Sequence, residues 1–453
     1  MSKLLDTRGF QRNRFLLPVM AALLLAAFAF GGGGSRFGLA NLAVQLSACA
    51  ALAAFPLALQ HFVGTAPRIL ILLIATTLAL PLIQLIPLPQ SLGAALPGRD
   101  LASSARDLAQ IDGALTWSLT PWRTALAASA LLTPLAVILI GWMLPRQHLF
   151  YLGWAVVGLC LVTFMIGAVQ VSTGAFLDFW PEGMTPQTLL GTFGNRNSTG
   201  LFLLSGIALA ACLPVPRPHP AIPFLRLALC ALFLTAVVLT KSRTALALSL
   251  IPCLLALIYA TTAAVRRLND TARSRPVLIV LAVLGLGISG IALTTTMAPG
   301  RVSETLERFE NTRDDPRKYF WEDAGYAASR YWPVGAGMGS FDDVFQIDEA
   351  LENIASSRRA GRAHNDYLEV AIEAGAFGLV LITLWLVYLA WLTWQARRSE
   401  DRWAAWAASS FLLAIALQSI TDYPLRNQTM LAVAAFALLL LVRIAQPPKG
   451  AQR

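Results

Sequence analysis

The sequence predicts an all-α, polytopic membrane protein of about twelve transmembrane helices, and two observations lead there. Of its 453 residues, 56% are hydrophobic and only 13% are charged, against about 25% charged in an ordinary soluble domain. Apolar runs of spanning length recur from end to end, and a chain crossing lipid must satisfy its own backbone hydrogen bonds, which helices do within each segment. The short alternating segments of a membrane β-barrel are missing.

In order, the runs are Phe15 to Phe30, Leu39 to Leu59, Ile69 to Ile86, Trp122 to Leu144, Phe150 to Val171 and Ser198 to Leu213. They continue as Ile222 to Leu239, Ala245 to Val265, Val277 to Met297, Leu368 to Trp394, Trp403 to Ile420 and Thr429 to Ile444. Lys3, Arg8, Arg12 and Arg14 precede the first run as they would in a signal peptide. Gly31 to Gly34 then follow without a small-x-small cleavage site, so the segment reads as a retained span. Cys49, Cys160, Cys212, Cys230 and Cys253 all fall inside runs, which suits small packing side chains and not a disulfide set.

Short loops rich in Lys and Arg resist translocation. With the N-terminus inside, the cytoplasmic loops collect the bases at Lys3 to Arg14, Arg266 to Arg275 and Arg397 to Arg402 against only Asp6, Asp270, Glu400 and Asp401. Both termini are therefore expected in the cytoplasm. The net charge of +10 is mostly this topological signal, which argues against nucleic-acid binding. The domain plan is nine spans over 1–297, an extracytoplasmic helical cap over 298–367, and three spans with a cytoplasmic tail over 368–453. In the cap, Asp315-Pro316 reads as a helix start, with Arg317, Trp321, Ala324, Ala328 and Tyr331 on one face. Gly335, Gly337 and Gly339 then permit a close-approach turn.

Polar residues at the outer ends of the spans form one constellation: Gly191 to Asn197, Lys241 to Thr244, Arg317, and Arg362 to Glu369. Three spans begin there, and helix N-termini offer free N–H groups and partial positive charge to an anion. Arg243 reads as a fork for a phosphate oxygen or as an interfacial anchor, and Lys241 as a supporting charge or anchor. His364 is the one histidine expected outside, since His61, His148 and His219 fall in cytoplasmic loops. It is a candidate general base or a loop histidine bonded to a carboxylate, and spacing leaves both open. Asn365 or Asp366 would cap the following helix, with Glu369 completing a capping box.

Arg317 competes with Arg313, Arg358, Arg359 and Arg362 as a second phosphate ligand or is a solvated helix residue. Asn195 and Asn197 read first as caps or packing groups, and as sugar or phosphate ligands second. Trp117, Trp122 and Arg123 suit an entrance or an interfacial anchor. Asp422, Tyr423 and Arg426 make a polar outer turn that reads as a structural ion pair and not as a site. No metal set is visible: Asp314, Asp315, Asp342 and Asp343 are adjacent acids of the solvent-facing or capping kind. No nucleotide-binding or nucleophile-elbow motif occurs.

The sequence resembles the bacterial O-antigen ligases and the related O-antigen and exopolysaccharide polymerases. The resemblance rests on Gly191-Thr-Phe-Gly-Asn-Arg-Asn197, Lys241-Ser-Arg-Thr244, Trp332-Pro-Val-Gly-Ala-Gly-Met-Gly-Ser-Phe341, and His364-Asn-Asp-Tyr-Leu-Glu369 followed by Glu373-Ala-Gly375 and Gly378. It covers the second half of the chain and implies an inner-membrane glycosyltransferase without metal or other cofactor, inverting, fed by an undecaprenyl diphosphate-linked glycan. The acceptor would be a lipid A core, a growing glycan or a protein hydroxyl. By the same resemblance His364 is the base, Arg243 binds the diphosphate and Arg317 assists. From other classes, a polysaccharide transporter or flippase is the main rival, since such carriers commonly bind substrate near the bilayer midplane; a non-catalytic scaffold for envelope assembly is another.

Overall fold

The computed structural model describes residues 2–34, 36–173, 188–217, 219–268, 317–351 and 361–446. Among them the fold is all-helical apart from one antiparallel pair of two-residue strands, Pro87–Leu88 with Leu115–Thr116. Six helices are long and apolar enough to cross a membrane: Pro121–Trp142, Arg146–Thr173, Ile222–Leu239, Arg243–Ala263, Asp366–Ala396 and Gln428–Ala445. The chain is a multi-pass membrane protein. The run from Val277 to Met297 and the Asp315-Pro316 helix start lie outside the described residues.

Two expected spans look different in the structure. The run from Leu39 to Leu59 divides into Gly38–Ala54 and Ala58–Thr65, which meet at 78°. Pro56 is the cause, because a residue ahead of proline, here Phe55, is pushed out of the helical region. Arg68–Ile83 is a shorter apolar helix, ended by a turn at Gln84.

The Arg196–Cys212 helix forms the axis of the bundle and is buried from Ser198 to Cys212. Its glycines allow this. A Cβ on Gly200 would stand 2.3 Å from the Ala245 Cβ, and one on Gly206 would stand 2.9 Å from the Cys160 sulfur. Such small residues let helices pack closely where lipid supplies no hydrophobic drive between them. Gln428–Ala445 is almost as enclosed. By contrast, Phe377, Val380, Leu384 and Val387 on one face of Asp366–Ala396 are exposed, as a lipid-facing stripe requires.

At one end of the bundle the helices Arg317–Arg330 and Phe341–Asp348 share a second apolar cluster with Ala324, Ala327, Tyr331, Phe341, Phe345 and Ile372. The glycine-rich turn between them lies on the Asp366–Ala396 helix, which is broken at Gly375 (φ 57°, ψ −142°). That break frees carbonyls. Ala336 N–H donates to Ile372 O and Gly337 N–H to Glu373 O, both at 2.8 Å, while Ala376 N–H donates to Pro333 O at 2.9 Å. A Cβ on Gly335 would lie 2.6 Å from Glu373 backbone, and one on Gly375 would lie 2.0 Å from Pro333 O. Gly375→Ala therefore combines a clash with a left-handed backbone, and is expected to cost ~1–3 kcal/mol or more. A lowered thermal midpoint in detergent would report it.

Buried polar side chains fasten the outer loops to this turn. Gln84 donates to Glu373 O at 3.0 Å and accepts from Met338 N–H at 2.8 Å. Arg99 donates to Trp117 O at 2.6 Å and Gly335 O at 3.1 Å. Arg123 pairs with Asp343 at 2.6 Å and Asp342 at 3.1 Å, and Trp117 Nε1 donates to Val334 O at 3.2 Å. Trp117 and Arg123, read as an entrance or anchor, are thus ties between loops, and Asp342 and Asp343 are ion-pair partners instead of free acids.

Candidate active site

Four helices begin close together, each opened by a side-chain cap. Asn195 accepts from Asn197 N–H, Ser242 from Ala245 N–H, Asn365 from Leu368 N–H and Asn427 from Met430 N–H. Asn and Ser suit this position because a short side-chain acceptor reaches an otherwise unsatisfied amide of the first turn. The expected capping box does not form: Asn365 is the cap, and Glu369 turns away to Arg362 at 2.6 Å, the Ala363 N–H at 3.3 Å and Arg426 at 3.1 Å.

Asp422 joins these helix starts. Its Oδ2 accepts from Asn195 Nδ2 at 3.0 Å and Asn197 Nδ2 at 2.8 Å, and its Oδ1 meets His364 Nδ1 at 3.3 Å. Asn197 in turn accepts from the Ser242 hydroxyl at 2.7 Å. One hydrogen-bonded chain therefore runs His364, Asp422, Asn197, Ser242, and Arg243 is the next residue, in the first turn of its helix. Lys241, immediately before, has a left-handed φ of 55°.

Burial would raise the Asp422 pKa, but the bonds from His364, Asn197 and Asn195 outweigh it and hold the carboxyl below its usual range. An ionised carboxylate only accepts, so the proton between the pair sits on Nδ1 and the Nε2 lone pair is left available. The Asp422 side chain is fully enclosed, whereas 36% of the His364 side chain is exposed. The 3.3 Å separation is long for a hydrogen bond, as is common before substrate tightens a site.

Arg426 does not pair with Asp422, contrary to the reading of that turn as a structural ion pair. It reaches Asp366 at 3.3 Å, Glu369 at 3.1 Å and Glu373 at 3.0 Å. Burial alone would lower its pKa, but the three carboxylates raise it. Arg362, a competitor for the second phosphate ligand, bonds Glu369. The side chain of Arg317, and all of Arg313, Arg358, Arg359, Asp314 and Asp315, lie outside the described residues.

Two supports of the site escaped the sequence. Gln170, buried in the Arg146–Thr173 helix, accepts from Leu190 N–H at 3.1 Å and Gly191 N–H at 2.8 Å and donates to Gly191 O at 3.0 Å. A lone glutamine in an apolar run was the available signal. Gly31 to Gly34 entered the sequence reading only for lacking a cleavage site, yet Gly194 N–H donates to Gly32 O at 3.1 Å and a Cβ on Gly32 would stand 2.1 Å from Thr192 O.

Residues 228–383 match the family model described as O-antigen ligase. Over this third of the chain the protein is similar to the O-antigen ligases. The O-antigen ligase region contains Lys241 to Thr244, the glycine turn and His364 to Gly378, while Asn195, Asn197 and Asp422, which complete the bonded chain, lie beyond its ends. No curated protein matches the chain.

Proposed function

We propose that the protein is a metal-independent, inverting glycosyltransferase of the bacterial inner membrane. It moves a glycan from an undecaprenyl diphosphate carrier to an acceptor hydroxyl at the periplasmic face. Twelve crossings with both termini cytoplasmic, as the Lys and Arg distribution requires, set the His364 end of the bundle outside. The observation that carries the reading is the bonded chain His364, Asp422, Asn197, Ser242 ending beside Arg243. It links the candidate base to the residue next to Arg243 across distant segments, which supports a shared site.

In the reaction the acceptor oxygen attacks the anomeric carbon while the bond from that carbon to the diphosphate oxygen breaks. The acceptor proton passes to His364 Nε2, and the electron pair leaves with the lipid diphosphate. Asp422 holds the productive tautomer and stabilises the imidazolium that forms. Arg243, Lys241 and the clustered helix N-termini meet the developing diphosphate charge, with Arg317 as a further ligand. Asn195 and Asn197 act through Asp422, which narrows their earlier reading as direct ligands to one of alignment.

The test is reconstitution of purified protein with a lipid diphosphate-linked glycan and, separately, a lipid A-core, a glycan and a peptide hydroxyl acceptor. One acceptor is expected to be glycosylated, and transfer should persist after exhaustive chelation. Transbilayer movement of the donor without any new glycosidic bond would favour a carrier. Arg243→Lys retains a charge but not the two-pronged geometry. It should lower transfer by about tenfold to hundredfold, the worth of one or two charged hydrogen bonds, mainly through a higher donor KM.

A further inference from the structure

His364 is one of three non-glycine residues among the described residues with a positive φ, at 49°. A side-chain-bearing residue rarely adopts that conformation unless its neighbours impose it. Here the preceding residue, Ala363, is gripped through both of the peptide units that flank it. Trp321 Nε1 donates to Ala363 O at 2.9 Å, and Ala363 N–H donates to Glu369 Oε2 at 3.3 Å. On the far side, Asp366 N–H is fixed to Ser419 O at 2.8 Å. Both grips come from anchored groups. The Trp321 helix is held by Ala324, Ala327 and Tyr331 in the outer apolar cluster, and Glu369 is enclosed and held by Arg362 and Arg426.

We propose that Trp321 and Glu369 are positioning residues that clamp the backbone on either side of Ala363 and so hold His364 in its left-handed conformation with its ring on Asp422. The inference rests on His364 being the base. Neither residue bonds the imidazole, and neither is a member of the bonded chain that ends beside Arg243. Their loss therefore moves the chemical step and leaves donor binding alone, which a general loss of structure would not do. The clamp also ties the aim of the base to the seating of the outer Arg317–Arg330 helix on the bundle.

The experiment measures transfer rates in proteoliposomes for Trp321→Phe, Glu369→Gln, Asp422→Asn and the Trp321→Phe/Asp422→Asn double variant. Trp321→Phe removes the N–H donor and keeps an aromatic ring. A displacement of about 1 Å at a reacting group costs on the order of a hundredfold, so kcat should fall by about tenfold to hundredfold in each single clamp variant, with the donor KM unchanged. Because Trp321 acts through the His364 to Asp422 alignment, the double variant should lose no more than Asp422→Asn alone. A Trp321→Phe protein with wild-type kcat, or losses that multiply in the double variant, overturns the clamp. If Glu369→Gln does not insert stably, Trp321→Phe decides alone. His364→Ala is run beside them: full activity there defeats the base assignment itself, whereas an inactive His364→Ala with an unimpaired Trp321→Phe defeats only the clamp.

Discussion

His364→Ala is expected to reduce glycan transfer by about 10²–10⁴-fold, the usual contribution of a positioned base. The protein should still insert, because the ring is partly exposed and its one hydrogen-bonded partner, Asp422, keeps two amide donors from Asn195 and Asn197. The loss should fall on kcat with donor affinity retained, since no diphosphate contact is removed. Initial rates against donor concentration, on protein normalised for correctly inserted material, check both statements.

Asp422→Asn carries the second large effect, and its direction follows from the tautomer. The carboxylate accepts the Nδ1 proton and leaves Nε2 unprotonated. An asparagine can instead present its NH₂ to Nδ1, which moves the ring proton to Nε2 and blocks the atom that must receive the acceptor proton. With the NH₂ turned to His364, the remaining oxygen still accepts from Asn195 and Asn197 as Oδ2 does, but without the charge that strengthens both bonds. A loss of about 10²–10⁴-fold in kcat is expected, by comparison with the same change behind other catalytic histidines. Asp422→Glu, which keeps the charge but not the reach, should be less damaged than Asp422→Asn. Equal activity of Asp422→Asn and the parent would remove Asp422 from the mechanism.

The helical fold was legible because hydropathy alone marks apolar runs, and eleven of the twelve fall on helices among the described residues. The caps at Asn195 and Asn365 could also be read, since capping is a local matter of one short polar side chain before a helix; the same cap at Ser242 was passed over. Pro56 was legible but was passed over inside an apolar run, where composition masks a break.

Long-range pairings could not be read. Asp422 read as half of an ion pair within its own turn because its partners Asn195, Asn197 and His364 are brought to it only by helix packing. Arg426 likewise faced inward to three acids on a helix 53 to 60 residues away, which no spacing rule anticipates. Gly375 was noticed as part of a motif, but its left-handed break becomes meaningful only when the Pro333 to Gly337 backbone is seen occupying the gap.

The account stands most directly on where a donor lies. In a cryo-electron microscopy structure of the protein in lipid nanodiscs with a non-hydrolysable lipid diphosphate glycan, the diphosphate should rest on Arg243 and the anomeric carbon should face His364 Nε2. Diphosphate density at the other end of the bundle, near Arg146 and Arg443, would contradict it.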